Sequence, residues 1–220
     1  LISDTGGRMM LGPWQEDEII HRGAEAVVHS GRWMGRDAVL KIREPRTWRH
    51  PELDARLTKS RLSAEARLLS RLYREGLPVP ELLAIDATTG WMILSRCPGL
   101  PLFEVLRSSR GATMLEDVGM LIQRMHSVGI THGDLTTHNL LWDDEEGLSL
   151  IDLGLSAITD ELETMGLDLQ VLHECLKASH PDIENGIERV IEGYLRDGDD
   201  GAQSVVDRFN AIRGRVRYHG

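Results

Sequence analysis

Three polar side chains are spaced as a nucleotide and its metal ion would require. Asp134 and Asn139 lie five positions apart in His132-Gly133-Asp134-Leu135-Thr136-Thr137-His138-Asn139, and Asp152 follows thirteen positions later in Asp152-Leu153-Gly154. Phosphoryl transfer asks a protein for positioning and charge stabilisation more than for covalent chemistry. Asp134 can accept or orient an attacking hydroxyl, and Asn139 and Asp152 offer hard oxygen ligands suited to Mg²⁺. Loop Asp and Asn also bond nearby backbone as a matter of course. The inference therefore rests on the ordered set, framed by an apolar helix and two apolar strands.

A cationic group for phosphates is found upstream. Lys41 sits in Ala38-Val39-Leu40-Lys41-Ile42, where alternation puts it on the strand face opposite Ala38, Leu40 and Ile42. A helix predicted over residues 60–74 carries Leu62, Glu65, Leu69 and Leu72 as one stripe. Glu65 then falls on the buried side, where an unpaired carboxylate is costly. Pairing Glu65 with Lys41 satisfies both groups. Gly23-Ala24-Glu25-Ala26 permits close backbone approach to a ligand, although a full G-x-G-x-x-G is absent. Ser95 and Cys97, in Ser95-Arg96-Cys97-Pro98-Gly99, mark a linker whose backbone can meet an adenine edge.

The elements that must position these groups follow in order. Residues 1–15 read as a flexible leader, and the start at Leu1 fits a piece of a longer chain. Short strands are expected around Ile19-Ile20, Val27-Val28 and Ala38–Ile42, with turns near Gly31 and Gly35. The basic stretch Arg43, Arg46, Arg49, Arg56, Lys59 and Arg61 reads either as a solvated connector or as a face for a negatively charged partner. Strands at 81–86 and 91–94 close a small sheet, giving an amino-terminal lobe over 16–95. The second lobe, 96–212, holds helices near 102–108 and 114–127, a hairpin from Leu140–Trp142 to Leu148–Ile151, and helices at 168–178, 183–196 and 202–212. The hairpin brings Asn139 and Asp152 to the same end. Arg208, Arg213, Arg215 and Arg217 form a basic end, with a tail over 213–220 that suits a partner or RNA. His126, His132 and His138 do not match a zinc pattern. His132 reads as a hydrogen-bonded scaffold for the loop.

Composition bounds the rest. In 220 residues, 41% are hydrophobic and 27% charged, enough for a buried core. A net charge of -10 argues against broad nucleic-acid binding. Two cysteines, Cys97 and Cys175, support neither a disulfide framework nor a four-ligand zinc site, so a reducing, cytoplasmic setting is expected. No apolar run is long enough to span a membrane.

Taken together these motifs resemble the small atypical protein kinase of the KEOPS (EKC) complex, related to RIO-type kinases. The resemblance covers residues 18–217. Its amino-lobe motifs are Gly23–Ala26, Lys41, Arg49–Asp54, Arg61 and Glu65-Ala66-Arg67. It continues through His132–Asn139, Ile151–Ser156, Asp168-Leu169, His180-Pro181 and Arg213-Gly214-Arg215. It implies an α+β, small bilobal protein-kinase-like fold with an antiparallel-sheet amino lobe and a reduced helical carboxyl lobe. By resemblance, Lys41 with Glu65 positions ATP phosphates, Asp134 is the catalytic aspartate, Asn139 and Asp152 hold Mg²⁺, and Glu25 belongs to the replacement for a glycine-rich loop. ATP and Mg²⁺ are the implied cofactors, bound in an interlobe cleft.

The implied function is ATP hydrolysis, with serine/threonine phosphorylation, in support of N6-threonylcarbamoyladenosine formation on tRNA. The implied partners are a threonylcarbamoyltransferase subunit on the carboxyl lobe and tail, a small regulatory subunit on the amino lobe, and tRNA through the assembled complex. His138, Leu153, Thr164-Met165 and Val216 depart from the family pattern. Two rivals use the same residues: a small-molecule kinase of aminoglycoside or choline type, and a binding module that ATP merely stabilises.

Overall fold

The structure is a computed structural model of the chain and describes residues 2–3, 9–10, 12–23, 26–46, 48–107, 113–198 and 200–216. Ala24 and Glu25, and the end of the expected tail from Arg217, lie outside the described residues. The chain divides into two compact units, Leu1–Ser70 with Pro80–Arg96, and Arg71–Val79 with Cys97–Gly220. The architecture is α+β, with one larger antiparallel sheet and six helices among the described residues.

In the first unit, β1 (Ile2–Ser3) pairs with β2 (Met9–Met10), and β3 (Trp14–Arg22), β4 (Ala26–Trp33) and β5 (Arg36–Arg43) form a meander. Helix α1 (Pro51–Arg74) follows, and β6 (Leu82–Asp86) and β7 (Trp91–Ser95) complete a five-stranded sheet in the order β3-β4-β5-β7-β6. Trp14, Ala38, Leu40 and Ile93 form the core on one sheet face, with Trp33, Ile42 and Trp91 packed against it. Strand alternation sends Lys41 to the other face.

Three expectations are corrected here. Trp14 and Gln15 belong to β3 and not to a leader, because the Trp14 indole is needed in the core. The expected turn at Gly31 is mid-strand. A Cβ there would stand 2.2 Å from Gln15 O and 2.7 Å from the Trp14 ring, so glycine marks close packing instead of a turn. Helix α1 starts at Pro51, nine residues before the expected start. Proline suits the first helical position, having no N–H to leave orphaned, and Glu52 and Asp54 complement the positive helix end. Arg56, Lys59 and Arg61 are therefore helical.

The second unit opens with β8 (Leu100–Pro101), the one-turn α2 (Leu102–Val105) and α3 (Met114–Ser127). Next come β9 (Ile130–Thr131), β10 (Leu140–Asp143), β11 (Gly147–Leu150) and β12 (Ala157–Ile158). The strands form two small sheets, β11-β10-β8 and β12-β9. Helices α4 (Leu162–Ser179), α5 (Gly186–Arg196) and α6 (Asp200–Val216) finish the unit. Gly119 of α3 and Gly193 of α5 let those helices touch backbone to backbone, since a Cβ would come within 1.9 Å of Val190 O and 1.8 Å of Glu116 O respectively.

Helix α4 begins six residues before the expected start, because Met165 continues the buried stripe of Leu169, Leu172 and Leu176. The basic tail is also corrected. Helix α6 runs to Val216, and Arg213 pairs with Glu188 at 3.2 Å while Arg208 and Arg215 pair with Glu163. Through Arg215 the basic end is thus held by acidic residues of the same unit. No helix among the described residues is long and apolar enough to cross a membrane.

Candidate active site

Within the first unit, the Lys41 Nζ lies 2.6 Å from Glu65 Oε1, and Arg43 Nη2 donates to Glu65 Oε2 at 3.2 Å. The Glu65 side chain is 1% exposed, with Lys41 at 11% and Arg43 at 6%. A carboxylate this deep is partnered by two cationic side chains, which outnumber it in the cluster. Arg43 was not among the sequence candidates for this site. Its signal was available: two residues beyond Lys41 on a strand, it shares the same face.

Gly23 N donates to Ala26 O at 3.0 Å, linking the residue after β3 to the first of β4, and the Ala26 side chain is buried. Ser95 ends β7 opposite Ala38. Its hydroxyl accepts from Glu81 N at 2.8 Å and its own N–H donates to Glu81 O at 2.9 Å. Cys97 falls in the second unit. Burial pushes its thiol pKa up, partly offset by a hydrogen bond with Ser149, so it is a poor nucleophile.

Within the second unit, the loop from Thr131 to Asn139 is anchored from below. His132 is fully buried. Its backbone N–H donates to Asp168 Oδ2 at 2.6 Å, and Gly133 N donates to Asp168 Oδ1 at 2.8 Å. Asp134 N points at His132 Nδ1 at 3.3 Å, and His132 Nε2 lies 3.0 Å from Ile151 O. Since a backbone N–H can only donate, Nδ1 is the acceptor and Nε2 carries the proton to Ile151 O. His132 thereby ties the loop to the segment before Asp152. Ser156 Oγ adds a third tie, to His132 O at 3.0 Å.

Asn139 Nδ2 donates to Asp134 O at 2.8 Å and to Asp134 Oδ2 at 3.1 Å. That use of the amide nitrogen leaves Asn139 Oδ1 as the oxygen able to meet a cation. Ile151 N donates to Asn139 O at 3.0 Å, extending the β10–β11 register of Leu140 with Leu150. Asp152 is the next residue, exposed and with φ of 58°. The left-handed backbone turns the chain sharply out of the hairpin, and Asp is among the few residue types enriched there. No group of three His, Cys, Asp or Glu side chains able to hold a metal occurs among the described residues. Asn139 and Asp152 are the residues that could hold a cation, whose remaining ligands would come from phosphates and water, as is common for Mg²⁺.

The structure thus brings Lys41 and Glu65 together in one unit and Asp134, Asn139 and the segment bearing Asp152 together in the other. Asp168 was missed as a site residue. It is 2% exposed, and His126 Nε2 also reaches its Oδ2 at 3.2 Å. Its sequence signals were an acidic residue on the apolar stripe of α4 and its place in the Asp168-Leu169 motif of the resemblance. Of the residues that depart from the family pattern, His138 stacks on Phe103 at 4.1 Å, Leu153 is buried, and Thr164 Oγ1 donates to Glu161 Oε2 at 3.3 Å.

Residues 18–130 match the model of the phosphotransferase enzyme family, and residues 103–194 match that of the lipopolysaccharide kinase (Kdo/WaaP) family. The chain is 32% identical to the EKC/KEOPS complex subunit BUD32 of Chaetomium globosum, over 90% of this chain and 89% of that protein. It is 34% identical to the subunit of the same name from Gibberella zeae, over 90% and 85%. A probable bifunctional tRNA threonylcarbamoyladenosine biosynthesis protein of Methanothermobacter thermautotrophicus is 34% identical over 91% of this chain, which spans 36% of that relative. Among solved structures, the Rio2 kinase–ADP/Mg²⁺–phosphoaspartate complex of Chaetomium thermophilum superposes with a TM-score of 0.63 at 20% identity, covering 93% of this chain and 73% of that one.

Proposed function

The chain belongs to the family of the EKC/KEOPS complex subunit BUD32, and from that premise we propose that it is a magnesium-dependent ATPase and atypical serine/threonine protein kinase supporting N6-threonylcarbamoyladenosine formation on tRNA. The observation that carries this reading is the clasp between Asn139 and Asp134, with Nδ2 donating at 2.8 and 3.1 Å. It fixes a carboxylate and an amide oxygen beside the residue preceding Asp152. A loop that merely bound its own backbone would not need three anchors on Asp168, Ile151 and Ser156.

In this proposal ATP with Mg²⁺ supplies the phosphoryl group and the charge that the protein must steady. Lys41, held by Glu65, neutralises phosphate oxygens. Asn139 Oδ1 and the Asp152 carboxylate are the protein ligands of the cation. Asp134 accepts a hydrogen bond from the attacking water or protein hydroxyl and holds it in line. Charges fixed in advance lower the barrier because little reorganisation is left for the reactive moment.

The partners proposed are a threonylcarbamoyltransferase subunit, through the second unit and basic end, and a small regulatory subunit, through the first unit, with tRNA reached in the assembled complex. Relatives named bifunctional, of which a segment like this chain is 36%, support association with a second activity. The proposed setting is the cytoplasm.

Magnesium-dependent ATP turnover of the wild type, Asp134→Ala and Asp152→Asn tests the assignment. Asp134→Ala is expected to lose about 10²–10⁴-fold, the usual worth of a positioned acid–base group, and Asp152→Asn to lose turnover through weakened binding of the cation. Equal turnover in all three removes these residues from the mechanism. Reconstituted tRNA modification with Asp134→Ala then separates turnover from scaffolding: full modification by that variant favours a binding module. A phosphorylated metabolite in a labelled-ATP product screen favours a small-molecule kinase.

A further inference from the structure

Asp168 holds the near end of the loop, at His132 and Gly133. The far end, which carries Asn139, is held from another side. Thr137 is fully buried, with Oγ1 3.3 Å from His180 Nε2 and 3.4 Å from Cys175 Sγ. Its carbonyl accepts from Phe103 N at 2.9 Å, which ties the loop to α2. The next residue, His138, is exposed, and its imidazole stacks on the Phe103 ring with centroids 4.1 Å apart and planes 23° from parallel. Two further contacts steady Phe103: it meets His180 edge-on at 5.3 Å, and the Arg107 guanidinium lies 5.0 Å from its centroid. The proposed chemistry does not use His138. Yet His138 is joined by one peptide bond to Asn139, whose side-chain amide clasps Asp134 at 2.8 and 3.1 Å.

We propose that His138, through its stack on Phe103, is a positioning residue for Asn139, fixing the orientation from which Asn139 Oδ1 faces a cation. This inference rests on the magnesium and ATP reading above. The stack restrains the His138 ring, and with it the peptide on which the Asn139 side chain is built. Asp134 depends more on the opposite anchor, since Asp168 holds the two residues before it. Loss of the stack therefore acts on the cation step first. An aromatic pair of this kind weights an equilibrium by about two- to tenfold. The buried contacts of Thr137 persist without it, so the loop loosens locally while the fold stays intact. The imidazole serves as a flat ring, so phenylalanine can take its place.

Two measurements test this. In the chain without nucleotide, hydrogen exchange of the Asn139 amide, which donates to Thr136 O at 3.1 Å, should accelerate about two- to tenfold in His138→Ala. With ATP, the Mg²⁺ concentration giving half-maximal turnover should rise by a similar factor, while KM for ATP at saturating Mg²⁺ moves little. His138→Phe should restore both to wild-type values. Adding His138→Ala to Phe103→Leu should change neither further, because the partner ring is already gone. Three results would each overturn the proposal: unchanged exchange and Mg²⁺ dependence in His138→Ala, a His138→Phe variant as impaired as His138→Ala, or a full additional loss when His138→Ala is added to Phe103→Leu. The exchange measurement contains no nucleotide, so its failure is the failure of the stack. Absence of magnesium-dependent turnover in the wild type would instead be the failure of the ATP reading.

Discussion

Asp168 accepts the backbone N–H groups of both His132 and Gly133, at 2.6 and 2.8 Å, from a helix 36 and 35 residues further along the chain. One buried carboxylate on α4 therefore sets the height and tilt of the loop that presents Asp134. Each N–H donates to its own oxygen of the carboxylate, so both oxygens are in use. Asn at this position would offer one oxygen and one competing donor.

Asp168→Asn should accordingly leave one buried loop N–H unmatched, at a cost of about 1–3 kcal/mol. If Asp134 shifts by about 1 Å in response, turnover falls on the order of 10²-fold. Because Asp168 touches no nucleotide in this reading, kcat should fall while KM for ATP moves little. Steady-state kinetics alongside urea unfolding would check both parts. A variant with normal kcat and lowered stability would reduce Asp168 to a purely structural role.

Glu65 presents the opposite situation, one anion serving two cations. Removing it in Glu65→Ala leaves Lys41 and Arg43 in a nearly buried site without their carboxylate. Breaking such a cluster typically costs about 3–5 kcal/mol. Chemical denaturation should register that loss. Lys41→Met, which leaves Glu65 paired with Arg43, should cost less stability than Glu65→Ala while still impairing ATP turnover. Equal stability losses would mean that the Arg43 bond to Glu65, 3.2 Å long, contributes nothing.

Much of this was legible before the structure because periodicity encodes it. The stripe of Leu62, Glu65, Leu69 and Leu72 forced the one charged member inward, and strand alternation supplied Lys41 to meet it. The hairpin that places Asn139 beside Ile151 follows from two apolar runs around an acidic turn. What escaped was long-range or masked by a second use of the same residue. Gly31 looked like a turn because glycine favours turns, whereas its role is to admit the Trp14 ring. The start of α1 at Pro51 escaped because proline ends helices as readily as it starts them. Asp168 could not be assigned a partner from its own neighbourhood, since the groups it holds lie on a loop separated from it by the whole β10–β11 hairpin and β12.

Asp152 carries both a proposed ligand and a left-handed backbone, with φ of 58°. A non-glycine residue there is held at some conformational cost, roughly 1–2 kcal/mol for most L residues. Asp152→Gly should therefore hold or raise stability by up to about 1 kcal/mol while abolishing turnover. Asp152→Ala should lose both. Thermal melting of the pair beside an ATPase assay gives the comparison. Glycine melting well below the wild type would show that side-chain contacts of Asp152, and not its backbone, dominate stability.

His180 gives the chain a pH dependence whose sign can be worked out. It is buried at the end of α4, with Nε2 3.3 Å from Thr137 Oγ1 and its ring edge-on to Phe103 at 5.3 Å. Burial, and then the nearby Arg107 and His138, hold its pKa below the usual 6.5. The folded state thus binds its proton less readily than the unfolded chain does. Stability is complete above the ordinary histidine pKa and declines as pH falls through about 6.5 toward the depressed folded value. His173 on α4 shifts in the same direction, chiefly by burial and then by Arg213. Urea midpoints for the wild type should drop between about pH 7.5 and pH 5.5, across the histidine range. His180→Gln should flatten part of that slope, and His180→Gln with His173→Gln more of it. A slope identical in the wild type and the double variant would mean that these two imidazoles are not what acid titrates.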